Sequence, residues 1–312
     1  MRLTEAGRFS LSIPEPFNFR RTVAKPAGWH WSTPREIFAD GALWSGVYLD
    51  GRPRGLRMLA PGRDVEVTLY AASPLTAGEE DMARSVVRAG LGAGEDLAGF
   101  YEFAGNDPVL SLAIRDLYGM RVGQLDDVFG RVILAILLQM APVARSVQMM
   151  DAVLEQYGTR LSFDGREVIL WPRPGTVAAL DPAELRARAK LGYRAPRLVR
   201  AAQFLAANPV SLRELAALPE EPALEKLTAI PGIGRYSAGI ILGQAFVPLD
   251  VWSVVIMSEL VQGRTPLNPR QEIDAVALKL KQRWGRWGWL AFVYLLNDLE
   301  NLARVYKLSR LR

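Results

Sequence analysis

The chain has 312 residues, no cysteine and one histidine, His30. Without thiols there is no disulfide framework, no cysteine-ligated zinc and no cysteine-held iron–sulfur cluster. A Ser-His-Asp triad or a histidine-rich metal site would have to be built around His30 alone. Its flanks, GWHWSTP, read as a loop or strand edge, so His30 is taken as a structural or surface residue. No metal centre is expected. Long hydrophobic runs are missing too. The longest, VILAILLQMAPVA and AGIILGQAFV, are broken by Gln or Pro and are too short for a membrane span. The first residues, MRLTEAGRFS, lack the apolar core of a signal peptide. Low-complexity segments and fixed-period repeats are also lacking.

Hydrophobic residues make up 50% of the chain and charged residues 23%, so a large core and little disorder are expected. The length suits two or three domains or lobes. The net charge is +5, a basic balance that favours a polyanionic partner such as nucleic acid.

Residues 1 to about 75 read as strands. FSLSI and VEVTLY alternate apolar with polar residues, and Asp50-Gly51 between two apolar runs signals a hairpin. A helix over about 77–91 backs this sheet. From about residue 105 the period becomes helical: DPVLSLAIRDLYG, DDVFGRVILAILLQM, PVARSVQMMDAVLEQYG, and later runs to the C-terminus. One island, RLSFDGREVILWPRP, reads as a small hairpin turning at Asp164-Gly165. The fold class is therefore α+β. An antiparallel sheet domain over 1–104 precedes an all-α domain over 105–312.

Within the helical part, IPGIGRYSAGIILGQAFVPLD at 230–250 stands out. A helix ends at Pro231, Gly232 and Gly234 make a tight turn, and Arg235 opens the next helix. Such a turn aims several backbone N–H groups outward, a nest for a phosphate. PGIG alone is equally a plain helical hairpin. Asp250 precedes the helical run VWSVVIMSEL and can serve as its N-cap. A cap and a chemical role are compatible.

The order helix, PGIG, helix, Pro-x-Asp, helix resembles the helix-hairpin-helix DNA glycosylase superfamily over roughly residues 107–300. Within it the chain looks most like the 3-methyladenine (alkyl-base) branch and the related 8-oxoguanine glycosylases, which also carry an N-terminal sheet domain. The resemblance implies two helical lobes with the active-site cleft between them. It matches Pro231, Gly232, Ile233, Gly234 and Arg235 to the DNA-binding hairpin, often with a monovalent cation, and Asp250 to the catalytic aspartate. Bifunctional members have a lysine two residues after the second hairpin glycine. Here that residue is Tyr236, and no lysine lies between Lys226 and Asp250. A monofunctional enzyme without lyase activity is implied. Tyr236 matches a pocket tryptophan, and Trp287 a second one, although Arg286 stands where the family often has proline. Gln139 and Met140 match the loop that fills the gap left by an extruded base. Val254 and Val255 stand where many members have a basic residue near the DNA backbone. Arg235, Lys279, Lys281, Arg283 and Arg286 are candidate backbone clamps, the last four being equally a solvated helix face. Asp298 and Glu300 are read as solvated.

The resemblance implies a monofunctional base-excision glycosylase for an alkylated purine such as 3-methyladenine. It would act on double-stranded DNA as a monomer, in the cytoplasm or on the nucleoid. Alternatives are a glycosylase for uracil, hypoxanthine or an oxidised purine, a non-catalytic DNA-binding protein, and a protein scaffold.

Overall fold

The structure, a computed structural model, describes residues 1–123, 125–243 and 247–311. Among these residues, five strands form one antiparallel sheet in the order β1-β5-β4-β3-β2. The strands are β1 (Thr4–Ser12), β2 (Ile37–Ala39), β3 (Ala42–Leu49), β4 (Arg52–Leu59) and β5 (Asp64–Ala71), with a short helix α1 (Phe19–Val23) after β1. The alternation in FSLSI sets the register: Phe9 lies opposite Val67 and Leu11 opposite Val65. Asp50-Gly51 closes β3 to β4 with φ of 45° and 71°, a type I′ hairpin. Asp40-Gly41 repeats the device between β2 and β3, with φ of 51° and 77°.

Both faces of the sheet are covered. On one, Phe9, Leu11, Leu43 and Val67 pack with Ala83 and Val87 of helix α2 (Glu79–Gly90). On the other sits the hairpin β6 (Thr159–Phe163) and β7 (Arg166–Leu170), through Leu161, Phe163, Val168 and Leu170. Two glycines allow this close approach. A Cβ on Gly55 would stand 2.7 Å from the Phe163 ring, and one on Gly46 would stand 3.0 Å from Leu161. The hairpin expected at Asp164-Gly165 therefore belongs, by packing, to the sheet that precedes it by a hundred residues.

The helices form two cores. Helices α3 (Leu97–Gly105) and α4 (Leu110–Asp116) share one with elements from the far end of the chain. Those are α13 (Ser253–Gln262), α14 (Pro269–Trp284), α15 (Gly288–Asn297) and α16 (Leu299–Val305). Phe100, Leu110, Ile256, Leu280, Trp284 and Tyr294 are its centre. The boundary expected at residue 104 thus falls at the end of a helix whose Leu97, Phe100 and Ala104 are buried with the C-terminal helices.

The second core lies in the middle of the chain. It joins α5 (Val128–Leu138), α6 (Val143–Tyr157), α7 (Pro174–Ala178), α8 (Pro182–Ala189), α9 (Arg194–Ala207), α10 (Leu212–Ala216), α11 (Glu220–Thr228) and α12 (Arg235–Leu242). Val122 packs in the first of these cores and Val128 in the second, while Leu242 packs in the second and Val247 in the first. The Arg121 guanidinium donates to the carbonyls of Pro14, Gly92 and Glu95. The Glu95 carboxylate accepts from the N–H groups of Val122 and Gly123.

Candidate active site

The hairpin joins α11 to α12. Gly232 has φ of 88°, a left-handed conformation that disfavours any side chain. Gly234 has an ordinary φ of −91°, and a Cβ there would meet open space. The Ala238 N–H closes the first bond of α12 onto the Gly234 carbonyl. The backbone N–H groups of Gly234, Arg235, Tyr236 and Ser237 have no acceptor among the described residues. No side chain caps this helix end. Orphan donors at a helix N-terminus are of the kind that can receive an anion.

Asp250 follows α12 in the chain. Between it and α12, Gln244, Ala245 and Phe246 lie outside the described residues. Its Oδ1 accepts from the N–H groups of Trp252 at 3.1 Å and Ser253 at 2.7 Å, and from the Ser253 hydroxyl at 2.7 Å. Asp250 therefore caps the start of α13. Oδ2 has no hydrogen bond among the described residues, and the residue is half-buried. One oxygen anchors the carboxylate and the other remains available. Ser253 was not foreseen, although the D-x-x-S spacing is a capping signature.

Tyr236, at the second position of α12, lies within the field of Asp250. Burial pushes its phenol above the ordinary range, and the Asp250 charge adds to the shift. Two residues fourteen apart in sequence are thus close enough for the charge of one to act on the other. Trp287 packs against the core that also holds Leu249, next to Asp250 in the chain. Its ring contacts Phe100 at 5.8 Å and is covered by the Arg286 guanidinium at 4.3 Å. No ring contact joins it to Tyr236 among the described residues. Trp252, half-exposed beside Asp250, has no ring partner among those residues.

The α5–α6 connection carries Gln139 and Met140. Met140 is 85% exposed with φ of 51°. The Gln139 side chain does not project; it folds onto the hairpin, Nε2 donating to the Gly232 carbonyl at 2.9 Å. Arg197 donates to its Oε1 at 3.1 Å. The Gln139 backbone carbonyl accepts from the Tyr193 hydroxyl and the Arg194 guanidinium. Both guanidiniums lie over the Tyr193 ring, at 4.5 Å for Arg194 and 4.8 Å for Arg197. By its periodicity alone, RAPRLVRAAQ is a helix and nothing more. The Tyr-Arg-x-x-Arg spacing was the available signal, since i and i+3 share a helix face.

The candidate clamps are mostly engaged within the protein. Arg235 makes a two-pronged pair with Glu221 at 2.6 and 2.9 Å. Arg283 pairs with Asp107, Lys281 with Glu220 and Arg286 with Asp96. Lys279 donates to Gln262. Val254 and Val255 are buried in the core, so that turn of α13 offers no cation. Asp298 departs from expectation. It is 2% exposed rather than solvated, because it ends α15 against the lobe core and its amide neighbours cover it. Glu300 is exposed. Among the described residues no cluster of acidic or histidine side chains could hold a metal ion. None of the helices there is long and apolar enough to cross a membrane.

No protein-family model matches the chain. It is 24% identical over 209 residues to a Bacillus subtilis (strain 168) protein named DNA-3-methyladenine glycosylase, covering 65% of this chain and 68% of that protein. It is 29% identical over 179 residues to DNA-3-methyladenine glycosylase 2 of Escherichia coli (strain K12), covering 57% of this chain and 60% of that protein. The solved 3-methyladenine DNA-glycosylase of Archaeoglobus fulgidus superposes with a TM-score of 0.74 at 20% identity, over 94% of this chain and 99% of that one. The glycine hairpin, the two lobes and the aspartate that follows the hairpin's helix, taken with these relatives, make the chain similar to helix-hairpin-helix DNA glycosylases, and to 3-methyladenine glycosylases among them.

Proposed function

We propose that the protein is a monofunctional DNA glycosylase of base excision repair that removes alkylated purines from double-stranded DNA. The observation that carries this reading is the half-free Asp250 carboxylate, held at the start of α13 beside Tyr236. A base inside a duplex is out of reach, so its nucleotide must be flipped out. The orphan N–H groups of α12 grip a backbone phosphate near the site. Met140 enters the vacated gap. The base enters the cleft against Tyr236, with Trp287 as the second wall.

Breaking the N-glycosidic bond builds positive charge on the sugar. The free oxygen of Asp250 stabilises that charge or orients the attacking water. An alkylated purine is a good leaving group, so no second carboxylate is needed as acid. It is also electron-poor and stacks well on an aromatic face. With Tyr236 where a lysine would stand, no Schiff base forms and the DNA strand is not cut. The carbonyls of Pro231 and Ile233 accept no hydrogen bond among the described residues, which suits a monovalent cation at the hairpin.

A panel of duplexes, each with one 3-methyladenine, 7-methylguanine, hypoxanthine, uracil or 8-oxoguanine, tests the reading. Release of the methylated purines above all others is the expected result. Preferential release of any other base would reassign the substrate, and release of none would leave a DNA-binding protein.

A further inference from the structure

We propose that Gln139 is a strut rather than part of the wedge, tying the gap-filling loop to the phosphate-gripping hairpin so that the two act as one rigid unit. This rests on the reading of Met140 as the wedge.

The geometry assigns each atom of the Gln139 side chain. Arg197 has only donors, so the atom it meets at 3.1 Å is the amide oxygen. The amide nitrogen therefore faces the hairpin, and it lies 2.9 Å from the Gly232 carbonyl. The two partners are 93 residues apart in sequence, so this bond joins separate elements of the lobe. It lands on the residue whose φ of 88° shapes the hairpin turn. Arg197 braces the same spot from the other side, since a Cβ on Gly232 would touch the Arg197 Cβ at 3.4 Å.

The next residue carries the consequence. Met140 is a non-glycine residue in the left-handed region, an arrangement that persists only where surroundings impose it. The imposed contacts fall on Gln139. Its side chain is held by Gly232 and Arg197, and its backbone carbonyl by Tyr193 and Arg194. With every polar group of Gln139 except its N–H bound outside its own helix, the chain must turn at Met140, and the thioether projects into solvent. A side chain folded onto the hairpin cannot also enter a duplex. Met140 is the only one of the pair free to insert, and its direction is set by the element that grips the phosphate.

The test reads insertion without base release. The full chain is bound to a duplex holding one tetrahydrofuran abasic analogue with 2-aminopurine as its neighbour. A wedge entering the stack raises 2-aminopurine fluorescence. Gln139→Met keeps the length of the side chain but cannot donate. It is expected to weaken insertion about tenfold, the loss of one hydrogen bond. Gln139→Glu keeps an acceptor for Arg197 but loses the donor to Gly232, and is expected to match Gln139→Met. The strut acts only through Met140. The double variant Gln139→Met with Met140→Ala should therefore insert no worse than Met140→Ala alone. Wild-type fluorescence in Gln139→Met overturns the proposal, as does an additive loss in the double variant. A wild-type chain that raises no fluorescence also overturns it. A wild-type chain that inserts yet releases no base refutes the glycosylase reading and leaves the strut supported.

Discussion

The Tyr236 phenol lies in the field of the Asp250 carboxylate, and this charge adds to burial in pushing the phenol above its ordinary range. The pair joins the second residue of α12 to the residue whose carboxylate caps the start of α13. A phenol held neutral cannot attack a sugar carbon, and it has no amine with which to form an imine.

Borohydride treatment on DNA with an abasic site should therefore leave no covalent adduct. Gel shift under denaturing conditions measures it. A trapped band that disappears in Tyr236→Phe would make the phenol region part of a lyase centre and end the monofunctional reading.

Asp250→Asn separates the two duties of that side chain. Asparagine keeps an oxygen for the N–H groups of Trp252 and Ser253, and caps helices about as well as aspartate. Stability should stay within about 0.5 kcal/mol of wild type by thermal unfolding. Base release depends on the charge at the other oxygen, and should fall at least ~100-fold in single-turnover assays. Wild-type release of 3-methyladenine would remove Asp250 from the chemistry.

The two hairpin glycines should respond differently to alanine. Gly232→Ala places a Cβ on a residue with φ of 88° and should destabilise the fold by about 1–2 kcal/mol. Gly234→Ala finds open space and an unstrained φ, so the melting temperature should hold. Its new methyl stands beside the orphan N–H groups of α12, and duplex affinity should drop roughly tenfold. Equal melting losses in both variants would place the two glycines in one structural role.

These glycines also mark how far local pattern reached. The Asp-Gly turns, the alternating strands and the PGIG hairpin are set by short-range backbone chemistry, and each was legible in the sequence. So was the departure at Val254 and Val255, which the core explains. The fold of Gln139 onto Gly232 was not legible, because nothing local to LLQMAP says which way an amide turns. The cations Arg235, Lys281, Arg283 and Arg286 looked free on helix faces. Their acidic partners, Glu221, Glu220, Asp107 and Asp96, come from other elements, so only the fold reveals them. The seating of β6–β7 at Gly46 and Gly55 is likewise a meeting of distant segments. Asp298 was misread for a related reason. In the NDLEN run it looks like a surface charge, and its burial comes from how α15 and α16 meet.

That burial gives Asp298 a measurable signature in stability. Desolvation pushes its carboxyl up to about 6, with the Asp116 charge adding to the shift and the Asn301 amide opposing it. Oδ1 accepts from Asn301 at 2.7 Å, whereas Oδ2 is buried without a partner. In the unfolded chain the group titrates near the usual aspartate value of about 3.9. Between these values the folded state holds the proton more tightly. The stabilisation is thus full below about pH 4 and is lost as pH rises through the folded value. Asp298→Asn keeps the shape and the acceptor for Asn301 but never ionises. It should match wild type near pH 3 and exceed it at pH 8 by about 1–3 kcal/mol. Glu36, pushed up to about 7 by burial, acts in the same direction in both proteins and cancels in the difference. Urea unfolding of the two proteins across this range measures the gap. A gap that is constant with pH would mean the carboxyl is solvated after all, as its sequence context first suggested.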